Sequence, residues 1–104
     1  MIVGHVLVEA YSVLTRLPRN QRVRPELALS ALSAAFLDDP VVLAGAEIRE
    51  LIQTLGRSGV AGGAAYDAVV AETARRHGLT LITLDERATT TYEAIGVDTV
   101  FLGR

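Results

Sequence analysis

The chain contains no cysteine. That removes disulfides, thiolate metal sites and cysteine nucleophiles from the possible chemistries. Histidine occurs twice, too sparsely for a histidine-rich zinc site. No apolar run reaches the roughly 18 residues needed to span a bilayer. The opening Met1-Ile2-Val3-Gly4-His5 has neither a basic segment nor a long apolar core, so it does not read as a secretory signal. A cytoplasmic protein with no membrane contact is the expectation. A dominant charge sign is also missing, because the net charge is only −2. Without a basic field to capture nucleic acid from a distance, any such contact must be local. The glycine-rich stretch GRSGVAGG, residues 56–63, holds no lysine and lacks the Gly-Lys-Ser/Thr order of a phosphate loop.

What is present is a globular composition. Half of the 104 residues are apolar and 21% are charged, which fits one folded domain, residues 1–104, rather than a disordered chain. Val3, Val6, Leu7, Ala10, Val13, Leu14 and Leu17 recur at helical spacing, predicting a helix over 3–17 that Pro18 ends. A polar connector follows, carrying Arg16, Arg19, Arg22 and Arg24, a candidate phosphate patch that is equally compatible with an ordinary basic turn. Pro25 opens a second helix to about residue 37. VVLAG, residues 41–45, reads as a short strand, and Ile48, Leu51, Ile52 and Leu55 as a third helix closed by Gly56. Residues 64–77 form a fourth helix, 80–84 a buried strand, 87–95 a short helix and 97–102 a last strand. Helices alternating with short apolar strands imply α/β architecture, a parallel sheet covered on both faces. VVLAG, TLITL and TVFL are expected to share that sheet. Ligands of such sheets bind at the carboxyl ends of strands.

Three acids stand in unusual positions. Asp67 precedes Val70, Ala71 and Ala74 by three, four and seven residues, which sets its carboxylate on the apolar stripe. A buried charge needs a partner, unless the stripe ends early and leaves it wet. Glu9 lies about 100° from the centre of the first helix's stripe, an edge equally compatible with an ordinary surface glutamate. Asp85 ends the strand TLITL and opens DERA, where aspartate is a preferred helix cap; capping and metal ligation are compatible. Clustered carboxylates repel unless a cation lies among them. Oxygen-only donors suit Mg²⁺ or Mn²⁺, ions that make hydroxide available near neutral pH and stabilise charge on a phosphodiester. The three carboxylates are therefore expected to converge. His5, Asp38, Asp39 and Asp98 read as helix-end or boundary residues, and Glu47, Glu50, Glu72, Glu86 and Glu93 as solvated faces.

The segments HVLVEAYSVLTRLP, GGAAYDAVVAETARRHG and LTLITLDERA, in this order across the chain, resemble the PIN-domain ribonucleases, in particular VapC-type toxins of toxin–antitoxin modules. The resemblance implies a PIN-like three-layer α/β/α fold with a short parallel sheet. It also implies cleavage of RNA, tRNA included, with Mg²⁺ or Mn²⁺ held by acids. The family's motif acids fall on Glu9, Asp67 and Asp85, and its hydroxylated residue on Thr83, with a role in orienting water or phosphate. Arg16, Arg19 and Arg22 become candidates for RNA contact. A VapB-type antitoxin and homodimerisation are the implied partners.

The family pattern begins earlier than this sequence does. A first strand ending in Asp-Thr or Asp-Ser, which supplies a principal metal ligand, is missing or reduced to the remnant MIVGH. The chain is accordingly expected to bind its cation weakly and to cut RNA poorly or not at all. The alternative is a catalytically inactive module that retains antitoxin or other protein binding. A receiver-like domain with Asp85 as phosphate acceptor lacks the early acidic pair and the lysine that chemistry needs.

Overall fold

The computed structural model describes residues 1–103. The chain divides into two compact units, Met1–Val42 and Leu43–Arg104.

The first unit is a helix pair with a short extended lead-in. α1 (Gly4–Thr15) packs on α2 (Pro25–Ala35). Pro25, fixed at the first helical position, starts α2 where its missing N–H costs nothing. The connector turns back through Gln21 N–H to Pro18 C=O at 2.7 Å and Val23 N–H to Leu14 C=O at 3.0 Å. Val3 stays extended and makes one parallel bridge to Val41. Gly4 N–H donates to Val41 C=O at 2.8 Å, and Val41 N–H to Ile2 C=O at 2.9 Å. Glycine is needed here, since a Cβ on Gly4 would sit 2.8 Å from Val42 Cγ1. Little of the unit is out of water: no α1 residue is buried, and in α2 only Ala28 is. Val8, Leu29 and Leu37 are exposed.

The second unit is a helical layer carrying a β–α–β hook: α3 (Gly45–Ser58), α4 (Ala64–Arg76), β1 (Leu81–Thr83), α5 (Glu86–Ile95) and β2 (Thr99–Phe101). α4 packs on α3 and α5. Leu43, Leu51, Leu55 and Ala68 form the core, against Val60, Ala65, Val69 and Ile95. Burying each of those leucines contributes about 1.5–3 kcal/mol. Glu47 starts α3 by reaching back to the Ala44 N–H at 2.7 Å, half of a capping box. Gly59, at φ 74°, ends it in the left-handed region that favours glycine.

β1 and β2 pair in parallel with Leu81 opposite Thr99 and Thr83 opposite Phe101. α5 is the crossover between them. The expected small α/β fold with a short parallel sheet is present, with three local differences. α3 runs through Gly56, because one interior glycine costs only about 0.5–1 kcal/mol and Gly59 supplies the stop. VVLAG is no sheet strand: Val41 bridges Val3, Leu43 is buried in the second unit's core and α3 starts at Gly45. The sheet among the described residues has two strands, and its outer face is open: Ile82 is 69% exposed and Val100 45%. In strands this short the alternating residues point away from the helices, and no described residue of the unit covers them. No helix among the described residues is long and apolar enough to cross a membrane.

Candidate functional site

α4 delivers Asp67 from its first turn, and the β1–α5 junction delivers Asp85. Val70, Ala71 and Ala74 are buried as the stripe requires, and the Asp67 side chain is 18% exposed. It thus sits largely out of water at the N-terminal end of that stripe. Asp85 is the N-cap of α5, where its Oδ1 accepts from the Arg87 N–H at 3.0 Å. Its own N–H donates to Thr83 Oγ1 at 3.0 Å, so the hydroxyl at the end of β1 braces the turn that carries the acid. The cap engages Oδ1 and leaves Oδ2 to another partner.

The two acids meet at Arg87. Its Nη2 donates to Asp85 Oδ2 at 3.1 Å and its Nη1 to Asp67 Oδ2 at 3.4 Å. Two carboxylates from separate elements thus share one cation, as an acid on an apolar stripe demands. The sequence reading missed Arg87. The available clue was its position: a cation in the first turn of a helix opposes the macrodipole and so points to an acid that holds it there. With Thr83 Oγ1 bound to the Asp85 N–H, the side-chain acceptors here are all oxygen, the donor type that hard divalent cations take.

Glu9 belongs to the first unit. It is exposed on α1 and pairs with His5, Nε2 to Oε1, at 2.7 Å one turn away. Within each unit, no group of three or more His, Cys, Asp or Glu side chains that could hold a metal ion occurs among the described residues. Arg16, Arg19 and Arg22 are exposed in the connector after α1. Arg22 Nε donates to Leu17 C=O at 3.0 Å, which fixes its stem. The first unit also carries an open apolar groove of about 460 Å³ lined by Leu7, Val8, Tyr11, Leu29, Leu32 and Phe36, with Asp38 and Asp39 at one end.

A second charged cluster lies elsewhere in the second unit. Glu72, read from the sequence as solvated, is buried. It accepts from Arg75 Nε at 2.7 Å and Arg76 Nε at 2.8 Å. Arg76 also reaches Glu47 at 2.9 Å and Glu50 at 3.1 Å. The Arg75 hydrogen bonds, with those of Arg76, hold the Glu72 carboxyl below the usual range against the cost of burial. The Ala44 N–H does the same for Glu47, with help from Arg76. Both guanidinium groups are pushed up, chiefly by Glu72. This network ties α3 to α4 and has every acid matched, so it reads as structure.

A family model described as PIN domain matches residues 1–94. Ribonuclease VapC27 of Mycobacterium tuberculosis is 45% identical over 97 residues, which is 93% of this chain and 70% of that protein. Ribonuclease VapC40 of the same organism is 39% identical over 97 residues, 93% of this chain and 72% of its own length. No solved structure matches the chain at a significant level.

Proposed function

The chain belongs to the PIN domain family, and on that premise we propose that it is a metal-dependent endoribonuclease of a toxin–antitoxin module. One observation carries the reading: Asp67 and Asp85, brought from α4 and the β1–α5 turn, face the same guanidinium. These two carboxylates would hold Mg²⁺ or Mn²⁺, with Glu9 as the third acid on the strength of the family resemblance. Such an ion, when bound, makes hydroxide available and neutralises charge on the phosphodiester. The chain's own groups do the rest. The Arg87 N–H fixes Asp85 Oδ1, so Oδ2, which meets the Arg87 guanidinium, is the oxygen left for a ligand. Thr83 Oγ1, which accepts from the Asp85 N–H, retains acceptor capacity and a proton to orient water or a phosphate oxygen. Arg16, Arg19 and Arg22 offer local phosphate contacts that a net charge of −2 does not supply at long range.

The match over residues 1–94 runs across both units, which supports one PIN-like domain, in a cytoplasmic protein whose substrate is RNA, tRNA included. A VapB-type antitoxin and a second copy of the chain are the proposed protein partners. The test is cleavage of a tRNA pool with added Mn²⁺ by the chain and by Asp67→Asn. Cutting, even slow, that depends on Mn²⁺ and falls by on the order of 10²-fold in the variant supports the site. Cutting that survives Asp67→Asn contradicts it.

A second reading has its own support. The apolar groove of the first unit favours protein binding, which a module that does not cut would retain. Absence of cleavage together with retained antitoxin binding would favour that reading.

A further inference from the structure

Arg87 is held differently from Arg76 of the same unit. Arg76 is 29% exposed and contacts three glutamates at 2.8–3.1 Å, the pattern of a fixed structural cation. The Arg87 side chain is 69% exposed and contacts its two acids at 3.1 and 3.4 Å. Exposed ion pairs of this kind are weak and readily exchanged. Its location adds to this. As the second residue of α5, its charge gains nothing from the helix end, so the two carboxylates are what hold the guanidinium where it is. The atoms it uses are also telling. Asp85 Oδ1 is engaged by the cap, and Arg87 covers Oδ2, the oxygen left for a ligand. On Asp67 it again covers Oδ2.

We propose that Arg87 is an internal counter-ion that competes with the divalent cation for Asp67 and Asp85, so that its guanidinium must swing out before the cation binds. The proposal rests on the reading of those two acids as metal ligands. It gives Arg87 a definite function. Without cation, the guanidinium neutralises two neighbouring carboxylates that would otherwise repel. With cation, the same flexible side chain is displaced toward solvent. The site is thereby biased against cation loading by the free energy of the two ion pairs.

The experiment is Mn²⁺ binding to the full chain, followed by the electron paramagnetic resonance signal of free Mn²⁺. Five variants are compared with the unsubstituted chain: Arg87→Gln, Arg87→Lys, Arg57→Gln, Asp67→Asn and Asp67→Asn/Arg87→Gln. Arg57 lies at the exposed end of α3 and controls for the loss of one positive charge. Arg87→Gln is expected to bind Mn²⁺ more tightly, by a factor on the order of ten. Arg87→Lys, which keeps the charge without the fork, should fall between, and Arg57→Gln should match the unsubstituted chain. Asp67→Asn should weaken binding and remove the gain in the double variant. Equal or weaker binding by both Arg87 variants, with Asp67→Asn still weakening, would overturn the counter-ion while leaving the ligands in place. A gain of equal size in Arg57→Gln would overturn it as well. Binding indifferent to Asp67→Asn in both backgrounds, or no binding by any protein, would overturn both the counter-ion and the ligand reading. Circular dichroism of each variant checks that the helix content is unchanged, and Arg87→Lys keeps the test available if Arg87→Gln disturbs the fold.

Discussion

The two units use similar apolar content very differently. In Leu43–Arg104, Leu43, Leu51, Leu55 and Ala68 close into a core, and the charged groups of α3 and α4 close into a network. In Met1–Val42, the stripes of α1 and α2 are equally apolar, yet among helix residues only Ala28 is fully enclosed. Val8, Leu29 and Leu37 stay 63–88% exposed even within the whole chain. A helical stripe therefore states which face is apolar, not what covers it. The second unit closes a core of its own and can hold acids at fixed positions, although the outer face of its sheet stays open. The first leaves an apolar groove, the sort of surface that contacts other protein.

The sharpest way to break this contrast is to cut each stripe. Leu55→Ala empties a buried core position and should cost about 2–5 kcal/mol. Leu29→Ala, on a residue 63% exposed, should stay within about 0.5 kcal/mol. Denaturant unfolding of both variants checks this, and comparable losses would mean that the groove is core after all. A smaller effect is expected where the first unit is tightest. Gly4→Val forces a Cβ against Val42 and should cost about 1–3 kcal/mol, with loss of hydrogen-exchange protection at the Gly4 and Val41 amides.

The charged network sharpens the contrast through pH. Glu72 has a lowered pKa in the folded chain, first through Arg75, and Glu47 through the Ala44 N–H. For a carboxyl lowered on folding, the stabilisation is complete above its ordinary value of 4.5. It is lost as pH falls through the lower folded value. Acid should therefore destabilise the second unit progressively as pH falls below 4.5. Glu72→Gln should cost about 1–3 kcal/mol at neutral pH and flatten the acid limb of a thermal-melting series. The smallest effect belongs to Thr83→Val, which removes one hydrogen bond to the Asp85 N–H and should cost about 0.5–1.5 kcal/mol.

Much of this layout is legible in the sequence, for identifiable reasons. Apolar spacing locates α1, α2, α4 and α5 to within a few residues, because each helix keeps a continuous stripe. Asp67 stands out because a carboxylate on such a stripe needs a partner, and Asp85 because it ends a strand and caps a helix. Short-range periodicity says nothing about long-range pairing. It cannot show that Glu72, flanked by Arg75 and Arg76 and tied through Arg76 to Glu47 and Glu50, sits in the interior rather than on a wet face. Nor can three-residue strands reveal that Ile82 and Val100 face outward. Arg87 is missed for the same reason: its partner on α4 lies twenty residues away in sequence.

The proposed cation site is built on the acids of the second unit, not on the groove of the first. Paramagnetic broadening of backbone amide signals by substoichiometric Mn²⁺ tests it most directly. Broadening is expected around Asp67, Thr83, Asp85 and Arg87, and around Glu9 if it is the third ligand, and it should vanish in Asp67→Asn. Broadening confined to the Asp38–Asp39 end of the groove, or unchanged in Asp67→Asn, would contradict that placement.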